Sequence, residues 1–275
     1  MSGIKQRVKK LLLKTVWAFG PEDVVRTIRR LGVRPGDVMM VHAGWRPDSG
    51  FRGSVQDLVQ AFLDAVGPEG TLCMMSMPFH GMTMAEYLKL GKVFDVRRTV
   101  SMVGLPSEVF RRRKGVVRSL HPTHSVAAYG PKAEWLIEGH ERCASPFGKG
   151  SPFDKMVEAK GKILIYGVPF NTMTFEHYLE DLLQHRLQVS VYSAMTVPGL
   201  VIDSAGRRLI VKTKVISDEL NRSRNTDSLY SWMKETKVAR KMNLKHIVVT
   251  VVDAGDAVKA LLRAPEPPPG WHIAF

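Results

Sequence analysis

The stretch between residues 38 and 77 constrains this chain more than any other. Val38-Met39-Met40-Val41 is an unbroken apolar run, and a strand without polar alternation is one covered on both faces. Ser54 opens a stretch in which Val55, Leu58, Val59, Phe62, Leu63 and Val66 recur at helical spacing, and Gly67 and Gly70 close it. Residues 71–77 form a second apolar run. Strand, loop, amphipathic helix and strand in that order build an α/β sheet buried between layers of helices.

The pattern extends in both directions. Gly20-Pro21-Glu22-Asp23 suits a helix start, with proline in the first turn and acids at the positive end of the dipole. Val24, Val25, Ile28 and Leu31 supply its apolar stripe, and Pro35-Gly36 makes a turn. A helix is expected within residues 103–113, a third apolar strand over 162–168, and a helix from Thr174 to about Leu187. Residues 189–197 and 208–216 flank Asp203-Ser204-Ala205-Gly206 and read as an antiparallel pair. A last strand is expected over 246–252, with a helix from Asp256 and an extended proline-rich tail over 265–269. The expectation is one elaborated α/β domain, residues 20–275, with a mixed central sheet and helices on both faces. Residues 1–19 stand apart: Lys5, Arg7, Lys9, Lys10 and Lys14 surround Ile4, Val8, Leu11 and Leu12 at helical spacing. That basic amphipathic pattern suits either packing on its own domain or contact with anionic lipid headgroups.

A chain of 275 residues can bury a sizeable core. Cys73 and Cys143 lie far apart, so neither a disulfide framework nor a zinc spacing is indicated. No apolar run is long enough to span a bilayer and no secretory signal is recognised, so a cytoplasmic protein is expected, possible contact at the inner membrane face aside. The net charge of +14 favours a phosphorylated cofactor, a nucleic acid or an anionic surface as partner.

Three segments stand out for chemistry. Phe94-Asp95, Thr99-Val100-Ser101-Met102-Val103-Gly104 and Glu108 lead into Arg111-Arg112-Arg113-Lys114 and Arg118, then His121-Pro122-Thr123-His124-Ser125. Hydroxyls and a glycine before a helix can present free N–H groups to a phosphate or oxyanion. His121 and His124 lack a third ligand, and the intervening proline is awkward for a metal, so none is assigned. Residues 167–180 run from a strand end through a turn into a helix, the place where open α/β sheets bind ligands. There Phe175, Leu179, Leu182 and Leu183 share one face, while His177, Glu180, Asp181 and Gln184 share the other. The helix terminus lowers the pKa of His177 and Glu180 raises it, which suits a general base near neutral pH as well as an ordinary surface histidine. His42-Ala43-Gly44-Trp45-Arg46 forms a loop after the first strand without a dinucleotide or P-loop fingerprint. No Gly-x-Ser-x-Gly elbow is present, so an acyl-enzyme is not indicated.

From about Pro21 to Leu262 the chain resembles the aminoglycoside 3-N-acetyltransferase family. The resemblance is carried by residues 38–43 with Gly70-Thr71-Leu72, by Phe94-Asp95 through residues 121–125 to Tyr129-Gly130-Pro131-Lys132-Ala133-Glu134, and by Gly150-Ser151-Pro152-Phe153-Asp154 with residues 162–168 and 174–180. It implies a mixed sheet with helices on both sides, often in a dimer, and acetyl transfer from acetyl-CoA to an amine without a covalent intermediate. It implies His177 as base, Glu180 beside it and His121 in the same pocket. It places His42, Ala43, Gly44, Trp45, Arg46, Thr99 and Ser101 along the acyl-CoA site, where Met102 and Arg118 are expected too. Phe79, Asp95, Asn171 and Glu176 are expected on the acceptor side, and backbone donors after Val41 or near Ser101 at the oxyanion. Two features depart from the family pattern. Ala43 and Gly44 stand where small hydroxyl residues are frequent, and the region after Gln188 is shorter with few acids.

An aminoglycoside is polycationic, and a +14 protein matches it poorly. The alternative is an O- or N-acyltransferase that moves another acyl group onto a nucleotide-linked or lipid-linked sugar in surface polysaccharide synthesis. A nucleic-acid-binding role for residues 111–114 is the alternative of another class; aromatics do not interleave that run, and no nucleic-acid partner is assigned.

Overall fold

The computed structural model describes residues 15–272. The basic amphipathic pattern of residues 1–19 therefore lies outside the described residues, apart from its last five. Of these, Phe19 pairs with Phe51 and is buried, so the domain core begins there.

In chain order the elements are α1 (Pro21–Arg30), β1 (Val38–Ala43), α2 (Val55–Val66), β2 (Thr71–Met75), α3 (Met84–Lys89), β3 (Phe94–Asp95), α4 (Leu105–Arg111), β4 (Val117–Arg118), β5 (Val126–Tyr129), α5 (Ala133–Ile137) and α6 (Pro152–Glu158). Then come β6 (Lys162–Tyr166), α7 (Glu176–Leu182), β7 (Tyr192–Ile202), β8 (Arg208–Ile216), α8 (Asp218–Ser223), α9 (Thr226–Glu235), β9 (Ala239–Leu244), β10 (Ile247–Asp253) and α10 (Ala254–Arg263). Seven strands form the central sheet in the order β4-β5-β2-β1-β6-β10-β9. β1 lies parallel to β2 and β6, and the outer pairs are antiparallel. The apolar run of β1 splits by its two-residue period: Val38 and Met40 enter the core on one face, Met39 and Val41 the core on the other. Helices α1 and α2 cover the second face with Val24, Ile28, Leu58 and Phe62. The first face is covered by α6, α7, α9 and α10, joined by Trp271 from beyond the last helix.

Local signals for helix ends behave as their chemistry requires. Ser54 caps α2 by accepting from the Asp57 N–H, and Asp57 returns the bond to the Ser54 N–H. Gly67 closes that helix at φ 68°, a conformation that disfavours a side chain. No helix among the described residues is long and apolar enough to cross a membrane.

The structure differs from expectation in five places, the first being the leading hairpin strand, expected over 189–197 and found over Tyr192–Ile202. A second sheet, β3-β7-β8, stands beside the central one, because the long hairpin recruits residues 94–95 and closes its own small core of Phe94, Val96, Val201 and Val211. The strand expected over 71–77 ends at Met75, where Ser76 bonds instead to the Ser125 carbonyl. The helix expected over 174–187 is shorter, and its start is Phe175, with Thr174 making no side-chain cap. The tail bends back: Trp271 N–H bonds to the Pro268 carbonyl, and the Trp271 side chain is fully enclosed.

Candidate active site

A cleft of ≈ 450 Å³ opens at the carboxyl ends of β1, β2 and β6. Val41, His42, Ala43 and Gly44 form one wall, Met74, Met75 and Met77 a second, and Met102, Val103, Gly104 and Ser107 a third. Val168, Thr172 and Thr174 complete the rim. The rim turn runs directly into α7, which carries His177. Gly44 is needed here: a Cβ at that position would approach Val168 Cγ1 to 2.9 Å and the Gly167 carbonyl oxygen to 3.2 Å.

His177 lies one turn from Glu180, with Nδ1 2.8 Å from Glu180 Oε2. The other ring nitrogen, Nε2, has no hydrogen-bond partner among the described residues. Its ring packs against Phe147 at 4.8 Å and meets the His124 ring at 6.4 Å. Burial and the Arg224 guanidinium push the His177 pKa below the ordinary imidazole value, and Glu180 only partly opposes them. The ring is neutral at pH 7. An uncharged ring bonded to a carboxylate through Nδ1 donates its proton there and leaves a lone pair on Nε2.

Glu180 is wholly buried. Burial raises its pKa, but the bonds from His177 and Arg224 outweigh that and hold it below the usual carboxylate value. Arg224 grips both oxygens, Nε to Oε1 at 2.6 Å and Nη2 to Oε2 at 3.0 Å. On the expected polar face of this helix, Glu180 is interior, His177 and Asp181 are half-buried and Gln184 stays exposed. Glu176, expected on the acceptor side, is enclosed as well; it accepts from Trp271 Nε1 at 2.7 Å and Thr226 Oγ1 at 2.8 Å. Burial and the neighbouring Glu180 raise its pKa to about 7.

The remaining expected positions divide. His42, Ala43, Gly44 and Met102 line the cleft. His42 Nε2 is buried without a partner, and burial pushes the His42 pKa down to about 4. Trp45 and Arg46 turn away from the cleft, toward Phe51 and Leu58 on the α2 side. Thr99, Ser101 and Arg118 act behind the wall. Thr99 Oγ1 accepts from the Asp95 N–H at 2.8 Å, and Ser101 Oγ lies 2.8 Å from Ser107 Oγ. Arg118 donates to the carbonyls of Ser76 and Thr99, each at 2.6 Å, and stacks on Phe94. These bonds occupy most of the polar groups that a cofactor would have used, although Arg118 Nε is buried without a partner. The expected oxyanion donors are spent too: Gly44 N–H bonds to the Tyr166 carbonyl and Ser101 N–H to Glu108 Oε2. Arg111 and Arg112 are likewise held by Glu108.

His121 is the clearest departure. It is completely enclosed and stacks on His140. Its Nδ1 accepts from the His124 N–H at 3.2 Å, and its Nε2 lies 3.3 Å from Thr213 Oγ1. With both nitrogens occupied, it braces the loop that carries His124, whose ring meets His177; none of these three histidines is among the residues lining the cleft. Phe79 stacks on Tyr87 and meets the His124 ring edge-on. Asp95 is occupied by the N–H groups of Arg97 and Arg98, and Asn171 is exposed on the turn before α7. Arg224, Trp271, His272 and Phe147 escaped sequence reasoning. The one available signal was the isolated aromatic-histidine pair Trp271-His272 after a run of prolines.

Comparison with known proteins identifies the family and the fold. The family model described as aminoglycoside 3-N-acetyltransferase matches residues 40–264. Aminoglycoside N(3)-acetyltransferase III of Acinetobacter baumannii is 35% identical over 169 residues, covering 57% of this chain and 58% of its own length. The match thus spans less than two thirds of that relative. Among solved structures, aminoglycoside acetyltransferase AAC(3)-Xa superposes with a TM-score of 0.74 at 27% identity, over 93% of this chain and 95% of its own. AAC-VIa bound to sisomicin superposes with a TM-score of 0.70 at 27% identity, over 88% and 95%. With the family's sequence pattern running through both the cleft and the His177 helix, and the family's fold along nearly its full length, this chain belongs to the aminoglycoside 3-N-acetyltransferase family.

Proposed function

We propose that this protein transfers an acetyl group from acetyl-CoA to an amine of an amino sugar or aminoglycoside-like acceptor, with His177 as general base. One observation carries the reading: a neutral imidazole, fixed through Nδ1 to a buried carboxylate, keeps Nε2 unengaged on the helix that follows the cleft rim. The residues of the cleft suit a pantetheine arm. Its walls are mainly methionine, valine and glycine, and the buried His42 Nε2 lacks a partner that an amide or thioester could supply.

His177 Nε2 takes the proton from the acceptor amine as its nitrogen attacks the thioester carbonyl, and Glu180 steadies the imidazolium that forms. The tetrahedral intermediate collapses with loss of the CoA thiolate, which takes up the proton. The N–H groups of Val103 and Gly104, which line the cleft and donate to no other described residue, are the candidates to hold the oxyanion.

The acceptor follows the family. AAC-VIa has been solved bound to sisomicin, and an amino sugar with a primary amine offers the same nucleophile. The net charge of +14 favours a second reading in which the amino sugar is carried on a phosphorylated nucleotide or lipid. Thiol release from acetyl-CoA, measured against aminoglycosides, free amino sugars and nucleotide-linked amino sugars, separates the two. Turnover with none of them in the folded protein overturns the assignment.

A further inference from the structure

A buried carboxylate beside an imidazole has a natural resting state that is useless for base catalysis. With no other charge to oppose it, the carboxylate raises the ring's pKa, and to the extent that it draws a proton onto the ring the proton-accepting lone pair is lost. Glu180 and His177 face this problem directly, because Glu180 is wholly buried. The structure holds an answer in two segments remote from α7. Arg224, at the end of α8, forks onto both oxygens of Glu180. The tail meets the same residue: Arg224 pairs with His272 in an isolated antiparallel bridge. Asn225 N–H bonds to the Trp271 carbonyl at 2.7 Å. His272 Nδ1 lies 3.1 Å from Ser223 Oγ, and its Nε2 lies 3.4 Å from Glu180 Oε1.

We infer that Arg224, locked in place by Trp271 and His272, is a positioning residue that cancels the charge of Glu180 so that His177 rests as a neutral base with its lone pair on Nε2. The inference rests on the proposed role of His177 and names the device that makes it possible. The groups facing the dyad are Glu176 on α7, Arg224 at the end of α8, His272 on the tail, His124 on the loop before β5, His140 behind it, and Tyr192 of β7, whose hydroxyl is bonded to Asp181. Glu176, pushed up to about 7, carries at most part of a charge near neutral pH, and the positive charge of Arg224 set against the negative charge of Glu180 weakens the pull of Glu180 on a proton at His177. Remove Arg224 and one uncompensated carboxylate faces the ring.

The test is a titration of His177 by NMR in protein labelled with ¹³C and ¹⁵N histidine, the signal assigned with a His177→Gln variant. It needs no turnover, so it stands even if the acetyl-transfer reading fails. In the unmodified protein the ring is expected to carry its proton on Nδ1 and stay neutral through pH 7; an Nε2–H tautomer, or an imidazolium at pH 7, overturns the inference. In Arg224→Met the midpoint should move up by at least about one pH unit. Arg224→Lys, which keeps the charge but loses the fork, should leave the midpoint near that of the unmodified protein while lowering kcat more than it raises KM. An unchanged midpoint in folded Arg224→Met overturns the inference. Should that variant not fold, Arg224→Gln, which keeps a donor to Glu180 without the charge, is titrated instead: the same upward shift supports the inference and an unchanged midpoint overturns it.

Discussion

Trp271 donates its indole N–H to Glu176 Oε1 at 2.7 Å across 95 positions of sequence. The contact brings the last described residues of the chain to the first turn of α7, the helix that carries His177. It seals a cluster in which burial and a neighbouring carboxylate push one carboxyl group, Glu176, up to about 7, while the bonds to Glu180 hold that second group below the usual carboxylate value.

That asymmetry predicts a pH dependence of stability. The pKa of Glu176 is raised from 4.5 to about 7, so the folded protein binds its proton more tightly than the unfolded chain does. The resulting stabilisation is fully present below about pH 4.5 and is lost as pH rises to about 7. Glu176→Gln removes the titration. Denaturant unfolding at pH 5 and pH 8 should show the Gln variant gaining on the unmodified protein by up to about 3 kcal/mol at the higher pH. An equal difference at both values refutes the account.

His177→Ala should lower turnover by roughly a hundredfold or more while leaving the fold intact by circular dichroism. Near-normal turnover in the folded variant would remove His177 from the mechanism. Because burial and Arg224 lower the His177 pKa, the base stays unprotonated into mildly acidic solution. Once the titration of the free acceptor amine is subtracted, the enzyme's acid limb of kcat/KM should therefore fall below the ordinary imidazole value of 6.5, and an enzyme limb above it contradicts the structure.

Gly44 sets the width of the cleft. Gly44→Ser places a Cβ 2.9 Å from Val168 Cγ1, closer than real contacts allow, so Val168 or the Gly167 turn must shift. The KM for acetyl-CoA should rise severalfold, with kcat changing less, because the rim is displaced and His177 is not. An unaltered KM would show that the donor does not pass between these two residues.

Arg118 works as a pin beneath the third wall. Its guanidinium serves two carbonyls at 2.6 Å, and Arg118→Met strips charge-assisted bonds from both. A loss of about 2–4 kcal/mol is expected in denaturant unfolding. Arg118→Lys should recover only part of it, since an ammonium cannot reach Ser76 and Thr99 in one planar fork. Full stability in Arg118→Met would show that the pin is dispensable.

Local chemistry in the sequence determined a great deal: the apolar runs of β1, β2 and β6, the serine cap and glycine stop of α2, and the hairpin around Asp203. The pairing of His177 with Glu180 was legible for the same reason, since residues three apart on a helix are neighbours whatever surrounds them. Tertiary structure alone decided which polar residues are interior. The polar face of α7 reads as solvent-facing by period, yet Glu176 and Glu180 are enclosed because Thr226, Arg224 and Trp271 return to cover them from 44 to 95 positions away. The same holds for His121, conspicuous beside its proline but enclosed by His140 and Thr213. Periodicity records the direction in which a side chain leaves its own element. Burial, protonation and partner depend on what the rest of the chain brings to that side, and no local pattern encodes it.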